Sequence, residues 1–424
     1  MELDLNEYLP EGKGAVDAVV TVTATERDGI AGRSPKSANV CEVLVIDASG
    51  SMQGAKFAQA REAAKVALTG LRPGTRFAIV RGTETATLVY PTDGTLATVG
   101  PATTADAVTA LRRLQCGGGT AIGSWLEKAT ALLQDADGIR HVTLLTDGLD
   151  EWETEEDLHR AIARARGVYQ CDCRGVGTDW SRDQLRSIAD PLLGTVDIVV
   201  DPRDLAADFA AITARLMGRS DNRVLLRVWT PRGARIDYFK QVYPDVVDLT
   251  SPDGVAEPST CDYITGAWGS ESRGYQLRVA LTPGVVGEEV LAARVSLVVD
   301  GEVLDRALVR AIWTDDLELS TRVSQLVGHY TGLTQMSSAI QQGLRARREG
   351  DDATAQQELG TATALAAAAG AHETLDLLAK VVTIEDAATG RVRLLPRVSV
   401  GDEMTLDTRS TRTTPVRRIQ PPQA

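Results

Sequence analysis

The sequence is poor in the residues that build disulfide scaffolds and thiolate metal sites. Its 424 residues include only 5 cysteines and 4 histidines, and aromatic residues make up 4%. Cys41, Cys171 and Cys173 fall inside predicted buried strands, so reduced structural thiols are expected rather than a disulfide framework. Cys171 and Cys173 lie on one strand rather than in a Cys-x-x-Cys turn, and no second pair completes a zinc site.

Net positive charge and long apolar runs are also absent, since 58 Asp and Glu residues outnumber 45 Lys and Arg residues. The formal net charge of −13 and the pI of about 5.0 argue against nucleic acid or an anionic membrane as the main partner. No apolar stretch reaches the roughly 20 residues that a membrane helix needs, and residues 1–10 lack the pattern of a signal peptide. We therefore expect a cytoplasmic protein. Arginine far outnumbers lysine, which is typical of a GC-rich bacterial genome.

Residues 38–216 alternate short apolar runs with helical patterns, and the chain is long enough for two or three domains. This alternation is typical of βαβ units, so we predict an α/β domain with a doubly wound, mostly parallel, Rossmann-like sheet. Thr154 with Asp157, and Ser181 with Gln184, predict capping boxes at helix starts. Strands are predicted at 41–46, 76–81, 85–90 as an antiparallel edge, 141–146, 168–176 and 196–200.

The remaining segments differ in pattern. Residues 217–316 contain β runs separated by Pro- and Gly-containing turns and predict an all-β sandwich. Residues 1–37 are expected to add a strand, near 15–25, to that sandwich, so that the α/β domain is an insertion. Residues 317–383 predict a C-terminal helical hairpin or bundle. Residues 384–424, rich in Thr, Arg and Pro near their end, predict a flexible tail.

A cluster of oxygen-bearing side chains is expected at the carboxyl edge of the predicted parallel sheet. Gly50 allows a tight turn directly after the buried strand 41–46, and ligands of open α/β folds bind at this edge. Carboxylates and hydroxyls are hard ligands that suit Mg²⁺ or Mn²⁺. The predicted metal ligands are Asp47, Ser49, Ser51, Thr120 and Asp147.

Simpler explanations exist for each motif taken alone. The segment 47–51, AspAlaSerGlySer, is also compatible with an Asx turn or a helix cap. The glycines at 117–119 resemble part of a phosphate loop, but no Gly-x-x-x-x-Gly-Lys-Ser/Thr pattern is present. The glycines are more compatible with a close approach of Thr120 to the ion.

Taken together, the three motifs resemble the von Willebrand factor type A (vWA) family, whose metal-ion-dependent adhesion site (MIDAS) reads Asp-x-Ser-x-Ser followed by a distant Thr and Asp. Residues 175–189 are also similar to the family's last strand and helix. The resemblance implies that residues 38–216 form a vWA domain without a catalytic residue. It also implies that a partner protein's Glu or Asp completes the coordination of the metal.

The chain resembles intracellular bacterial members of the family, of the actinobacterial, tellurium-resistance-like type. Those members often accompany AAA+ ATPases, or protein kinases and phosphatases. This resemblance makes an AAA+ ATPase, or a kinase or phosphatase of the same gene cluster, a candidate partner.

The loops near the predicted metal site carry two tryptophans and many carboxylates. Trp152 and Trp180 are expected to rim the site, and both partner contact and simple packing are open for each. Most carboxylates of the acidic loop 150–157 are expected to favour the start of the following helix or to face water.

Three functions are compatible with these motifs. The first is a non-enzymatic, Mg²⁺-dependent protein-interaction module or scaffold. The second is a metal-dependent phosphohydrolase, which the sequence disfavours because Ser49 stands in the general-acid position and no lysine stands near Asp147. The third is a structural protein whose metal only stabilises the fold. The scattered histidines lie near no Ser or Cys nucleophile motif, so no catalytic triad is predicted.

The arginine-rich C-terminal segment suggests one possible modification. Phosphorylation and recognition by a phosphothreonine-binding domain is one hypothesis, and an unmodified solvated tail is the other. The hydroxyl residues concerned are Thr408, Ser410, Thr411, Thr413 and Thr414.

Overall fold

The computed structural model describes residues 1–25, 39–221, 224–250 and 259–413. The chain divides into two compact units. One unit combines Met1–Thr25, Arg223–Thr265 and Glu271–Ala424, and the other combines Glu26–Asn222 with Gly266–Ser270. The predicted fold class, a mostly parallel α/β sheet with additional β sheets and C-terminal helices, is confirmed.

The first segment and the α/β unit supply the early elements of the chain. The segment 1–25 holds β1 (Glu2–Leu5), β2 (Tyr8–Pro10) and β3 (Ala15–Thr23). The following strands are β4 (Val40–Asp47), β5 (Arg76–Gly82), β6 (Ala86–Tyr90), β7 (Ala97–Thr98), β8 (Ile139–Thr146), β9 (Gln170–Val176), β10 (Val196–Val199) and β11 (Arg219–Asp221). The helices are α1 (Ala55–Gly70), α2 (Pro101–Arg113), α3 (Ile122–Leu133), α4 (Glu155–Ala165), α5 (Arg182–Ala189) and α6 (Leu205–Met217).

The main sheet of this unit has the order β10-β9-β8-β4-β5-β6, with β7 beside β5. Strands β10, β9, β8, β4 and β5 pair in parallel, whereas β6 pairs antiparallel with β5, which confirms the predicted edge strand. Every residue of β4 is buried, as expected for a central parallel strand that helices cover on both faces. Leu44 and Ile46 of β4 share a core cluster with Ala63 of α1 and Phe209 of α6.

The other unit continues after residue 223. Its strands are β12 (Val224–Thr230), β13 (Ala234–Tyr243), β14 (Val247–Asp248), β15 (Ser259–Ile264), β17 (Ser272–Leu281), β18 (Glu289–Val299), β19 (Glu302–Thr314), β20 (Val382–Asp386) and β21 (Arg391–Leu394), while β16 (Trp268–Gly269) belongs to the α/β unit. Its helices are α7 (Leu317–Thr321), α8 (Gln325–Glu349), α9 (Asp352–Ala369), α10 (His372–Leu378) and α11 (Val400–Arg409).

Two five-stranded sheets form the β part of this unit, with the orders β1-β3-β17-β13-β14 and β15-β12-β18-β19-β2. Strand β3, from the start of the chain, pairs antiparallel with β17 over its full length. Val19 of β3 and Val242 of β13 join a core cluster with Ile340 of α8 and Leu359 of α9. The helices thus bury their apolar residues against the first sheet, and the β and helical segments form one compact unit.

The prediction of a flexible tail from residue 384 was wrong for the described part of that segment. Residues 391–394 complete a hairpin with β20, and α11 follows. Ser399 caps α11 by accepting a hydrogen bond from the Asp402 N–H, 3.0 Å away. Leu406 is fully buried in the helical core. The hydropathy pattern did not reveal this helix because Thr408 and Ser410, both polar, are also buried.

That burial also bears on the proposed modification of the C-terminal segment. Thr408 donates its hydroxyl to the Met404 carbonyl, and Ser410 donates to the Asp407 carbonyl. Neither hydroxyl is accessible to a kinase while α11 is folded. The Thr413 hydroxyl lies 2.7 Å from the Val242 carbonyl, and Thr414 lies outside the described residues.

Among the described residues, no helix is both long enough and apolar enough to cross a membrane.

Candidate metal centre

Two aspartates reach the carboxyl edge of the main sheet from neighbouring strands. Asp47 is the last residue of β4, and Asp147 directly follows β8. The two strands pair in parallel, with Ile46 beside Leu145, so their carboxyl ends lie at the same edge. Both aspartate side chains are fully buried. The sheet therefore brings two carboxylates together although 99 residues separate them in the chain.

Ser49 and Ser51 connect these carboxylates through one backbone N–H and two hydroxyls. The Ser49 N–H donates to Asp47 Oδ1 at 2.8 Å, which turns the chain sharply after β4. Ser49 Oγ and Ser51 Oγ are 3.0 Å apart, and Ser51 Oγ donates to Asp147 Oδ1 at 2.7 Å. Four of the five predicted ligands thus form one continuous chain of polar contacts.

Thr120, the fifth predicted ligand, comes from the loop between α2 and α3. Hydrogen bonds hold this loop against the turn after β4: the Gly50 N–H donates to the Gly118 carbonyl and the Gly117 N–H to the Ala48 carbonyl. Gly118 has a φ of +97°, and a Cβ there would overlap the Glu84 carboxylate. The glycine run thus permits a backbone path that other residues rarely adopt.

Gly148 shows how close Thr120 lies to the serines. A Cβ placed on Gly148 would be 3.5 Å from Ser51 Oγ and 3.6 Å from Thr120 Oγ1. Both hydroxyls therefore face the same small region next to Asp147. The structure brings all five predicted residues to this one point of the sheet edge.

The surroundings of Asp47 disfavour its charge unless a cation is near. Burial raises the pKa of the Asp47 carboxyl, while hydrogen bonds from Ser49 and Thr146 oppose this rise. Thr146 Oγ1 donates to Asp47 Oδ2 at 2.6 Å, so both carboxylate oxygens are already engaged. A buried carboxylate is stabilised by a neighbouring positive charge or a metal ion.

Lys56 lies beside the second aspartate. Its Nζ donates to Asp147 Oδ2 at 2.6 Å and lies 3.4 Å from Asp179 Oδ2. The prediction that no lysine stands near Asp147 was therefore wrong, because Lys56 is distant in the sequence but close in the folded protein. Lys56 precedes Asp147 by 91 residues, but α1 begins at Ala55 directly after the serine turn and carries Lys56 to the same edge.

The chemistry of these donors fits a hard divalent cation. The described residues contain no group of three or more His, Cys, Asp or Glu side chains placed to hold a metal. This centre instead combines two carboxylates with three hydroxyls, from Ser49, Ser51 and Thr120. Such neutral and anionic oxygens are ligands that Mg²⁺ and Mn²⁺ accept, and they match soft metals poorly.

The two predicted rim tryptophans behave differently. Trp152 is 64% exposed, and its backbone N–H donates to the Thr120 carbonyl at 3.1 Å, so it stands beside the centre. Trp180 is 4% exposed, and its ring fills the space that a side chain at Gly175 would need. The prediction that Trp180 forms part of the rim was wrong, because a glycine on β9 provides a buried pocket for it. Leu149 is 43% exposed and adds an apolar side chain to the loop that carries Trp152.

Two carboxylates of the acidic loop, Asp150 and Glu153, cap α3 and not α4, the following helix that the sequence predicted. Asp150 accepts from the Ile122 N–H at 3.2 Å, and Glu153 accepts from the N–H groups of Gly123 and Ser124. These N–H groups start α3 and have no partner within that helix. Burial and the hydrogen bond to Glu153 raise the pKa of Asp150 to about 8. The loop next to Asp147 is thus tied to the helix that follows Thr120.

The predicted buried thiols and scattered histidines also have defined places. Cys171 and Cys173 are buried on β9 with their sulfur atoms 3.8 Å apart, and neither forms a disulfide. His141 lies on β8, buried between Glu42 of β4 and Asp172 of β9. Each of these three charged residues is the third of its strand, so they lie at the end of the sheet opposite the metal ligands.

Sequence reasoning missed three residues that shape the centre. They are Lys56, which pairs with Asp147, Thr146, which donates to Asp47, and Glu84, which accepts from the Gly119 N–H at 2.9 Å. A polar residue at the end of the apolar strand 139–146 was a usable signal for Thr146. Lys56 and Glu84 gave no local signal, since only the folded sheet places them near the motifs.

Comparisons with known proteins agree with this architecture. Residues 42–198 match the von Willebrand factor type A domain, and residues 364–410 match the von Willebrand factor type A C-terminal domain. The second match spans α10, the β20–β21 hairpin and α11, and therefore includes residues 384–410 of the segment that was predicted to be a tail.

Several known proteins are similar to large parts of the chain. A solved von Willebrand factor type A structure from Catenulispora acidiphila is 45% identical, with a TM-score of 0.91 over 98% of this chain and 96% of that one. The ArnB paralog VWA2 from Sulfolobus acidocaldarius shares the fold, with a TM-score of 0.59, 14% identity and 97% of each chain covered. An uncharacterised Synechocystis protein is 27% identical over 223 residues, and this chain spans about half the length of that curated relative.

Proposed function

The chain belongs to the von Willebrand factor type A family, and from this premise we propose that it is a Mg²⁺- or Mn²⁺-dependent protein-interaction module. One observation carries the proposal. Asp47, Ser49, Ser51 and Asp147 form a continuous chain of polar contacts at the carboxyl edge of the sheet. The centre gathers five oxygen-bearing side chains from three loops. Two or three of them would be enough to join the loops, so a structural role does not account for all five.

The carboxylates and the hydroxyls of the centre would contribute differently to cation binding. Asp47 and Asp147 supply the negative charge that holds a divalent cation, and the three hydroxyls supply neutral oxygens. When bound, the cation attracts an anionic oxygen atom from outside the chain. Because only two carboxylates face it and Lys56 neutralises part of one, the centre keeps net positive charge. This charge favours a Glu or Asp side chain of a partner protein.

The rim indicates what surrounds that carboxylate on the partner. Trp152 and Leu149 are exposed on the loop that follows Asp147. Exposed tryptophan beside a charged centre is a common anchor of protein interfaces. We therefore propose that the partner presents an acidic side chain next to an apolar one. An AAA+ ATPase, or a kinase or phosphatase of the same gene cluster, stays the candidate from the sequence.

A metal-dependent phosphohydrolase is the second candidate, since Lys56 places a lysine beside Asp147. The state of Asp47 counts against it. A phosphatase nucleophile must expose an oxygen, but Asp47 is fully buried and both of its oxygens accept hydrogen bonds. Turnover of p-nitrophenyl phosphate in Mg²⁺ that the Asp47→Asn substitution abolishes would favour this second function.

The first prediction concerns partner capture. Immobilised wild-type protein in Mg²⁺ is expected to retain a partner from native lysate, whereas wild type in EDTA and Asp47→Ala in Mg²⁺ are expected to lose it. Calorimetry with Mn²⁺ is expected to show one binding site in wild type and none in Asp47→Ala.

Matched controls separate loss of metal from loss of fold. Asp106→Asn changes an exposed aspartate on α2 and is expected to bind Mn²⁺ and the partner like wild type. Circular dichroism of Asp47→Ala checks that the sheet persists. Equal capture in Mg²⁺, in EDTA and by Asp47→Ala would reject the metal-dependent function and leave the cation a structural role.

The second prediction concerns Trp152. The substitution Trp152→Ala is expected to weaken binding of the captured partner by more than tenfold, because an exposed tryptophan that becomes buried at an interface centre often contributes about 2 kcal/mol. Its affinity for Mn²⁺ is expected to stay within about twofold of wild type, since the hydrogen bond to the Thr120 carbonyl comes from the Trp152 backbone, which the substitution keeps. Titration of both variants with Mn²⁺ and with purified partner measures the two effects separately. An unchanged partner affinity would remove Trp152 from the interface.

A further inference from the structure

We propose that Lys56 competes with a bound cation for the carboxylate of Asp147. This competition would keep the affinity of the centre for the cation low enough for the cation to exchange. The inference rests on the proposed function and deepens it, because it assigns a regulatory role to a residue outside the five ligands. Lys56 Nζ approaches Asp147 Oδ2 at 2.6 Å, while Ser51 occupies Asp147 Oδ1. One oxygen of this carboxylate therefore faces the ligand group and the other faces an ammonium ion.

The position of Lys56 is fixed by the fold. It is the second residue of α1, the helix that starts three residues after the turn Gly50–Met52. Its side chain is only 26% exposed, and it ends next to Gly177, where an added Cβ would lie 3.6 Å from Nζ. Helix and glycine together keep the ammonium between the carboxyl ends of β8 and β9.

Electrostatics gives the direction of the effect. Two positive charges that share one carboxylate repel each other, so the Lys56 ammonium disfavours a cation at the ligand group. Partial exposure of Lys56 lets solvent reduce this repulsion. We therefore expect removal of the charge to tighten divalent cation binding by about tenfold, rather than by several orders of magnitude.

Asp179 provides a way to relax the competition. Its carboxylate is 73% exposed and lies 3.4 Å from Lys56 Nζ, so the ammonium is shared between a buried and a solvent-facing acid. Without Asp179, Lys56 would pair with Asp147 alone. The substitution Asp179→Asn is therefore expected to weaken cation binding, the opposite direction from loss of Lys56.

The test is calorimetric titration with Mn²⁺ alone of the full chain. Lys56→Met is expected to bind Mn²⁺ about tenfold more tightly than wild type, and Lys56→Arg, which keeps the charge, to stay within about threefold. Lys65→Met removes the same charge from an exposed position of α1 and is expected to bind like wild type. This control separates the local contact from a general change in net charge.

Folding is followed in the same set of variants. Lys56→Met leaves buried Asp147 without its cation, so its melting temperature without metal is expected to fall. Saturating Mn²⁺ is then expected to raise the melting temperature more in Lys56→Met than in wild type, because ligand binding stabilises the folded state in proportion to affinity. The pair of measurements keeps the inference testable even when the variant is less stable.

The outcomes separate this inference from the proposed function. If wild type binds Mn²⁺ and Asp47→Ala does not, but Lys56→Met binds no more tightly than wild type, the competitor role is overturned and the metal centre stands. If neither wild type nor Lys56→Met binds Mn²⁺, both are overturned and Lys56 is a structural ion pair. Tight binding by Lys56→Met with weak binding by wild type supports the inference.

Discussion

Replacing His141 with leucine is expected to lower the free energy of unfolding by about 3 to 5 kcal/mol. His141 Nδ1 lies 2.7 Å from Glu42 Oε2, and its Nε2 lies 3.3 Å from Asp172 Oδ2. All three side chains are buried. Leucine would remove the positive charge between these two buried carboxylates. Arg174 still acts on Asp172, but Glu42 would keep only the Thr143 hydroxyl, and a buried charge without its partner is far more costly than a missing surface pair.

The same network predicts a dependence of stability on pH. Burial alone would lower the pKa of His141, but the charge of Glu42 and hydrogen bonds to Asp172 and Glu42 raise it from 6.5 to about 9. A raised pKa means that the folded state binds the proton more tightly than the unfolded state. The stabilisation is complete below pH 6.5 and is lost as the pH rises through about 9. One pKa unit corresponds to about 1.4 kcal/mol, so the effect is about 3 kcal/mol.

Urea denaturation of wild type and His141→Leu at pH 6, 7.5 and 9, in EDTA, measures both effects. The difference between the two proteins is expected to be largest at pH 6 and to shrink towards pH 9. His159→Leu, the same change at an exposed position of α4, is expected to stay within about 0.5 kcal/mol of wild type. A difference that stays constant with pH would mean that His141 is neutral in the folded protein.

The α/β sheet was predictable because its signals are local. The predicted strand 41–46 lies within β4, and 76–81 lies within β5, since buried parallel strands are continuous apolar runs. The Thr154 capping box is also present, with Thr154 Oγ1 accepting from the Asp157 N–H and Asp157 accepting in return. The five ligand candidates were found for the same reason, because Asp47, Ser49 and Ser51 lie at or just after the end of one strand, Asp147 directly follows another, and Thr120 directly follows a glycine run.

What the sequence did not reveal depends on contacts between distant residues. Lys56 reaches Asp147 only because α1 starts at the sheet edge, and the pocket of Trp180 exists only because Gly175 lacks a side chain. Glu42 lies beside His141 across β4 and β8, and Asp172 reaches His141 from β9, so three strands bring these side chains together. In the sequence each is a polar residue within a predicted strand, with nothing to indicate its partners.

The C-terminal helix α11 leads to the last prediction. Leu406 is fully buried in a core cluster that includes Leu344 of α8 and Leu378 of α10. The substitution Leu406→Ala is expected to lower the free energy of unfolding by about 2 to 5 kcal/mol, because it removes buried methyl groups and leaves a cavity. Val400→Ala, in the first turn of the same helix, changes a side chain that is 59% exposed and is expected to cost less than about 0.5 kcal/mol.

Thermal and urea unfolding of these two variants decide whether residues 400–409 are part of the folded unit. Further contacts hold α11 in place, since Arg347 Nε of α8 donates to Glu403 Oε1 at 2.9 Å and the Val246 N–H donates to the Thr411 carbonyl at 2.8 Å. If residues 400–409 were a flexible tail, neither substitution would change the free energy of unfolding. A large cost at Leu406 alone would show that the helix closes the core against α8, and that phosphorylation of Thr408 or Ser410 would require this helix to unfold first.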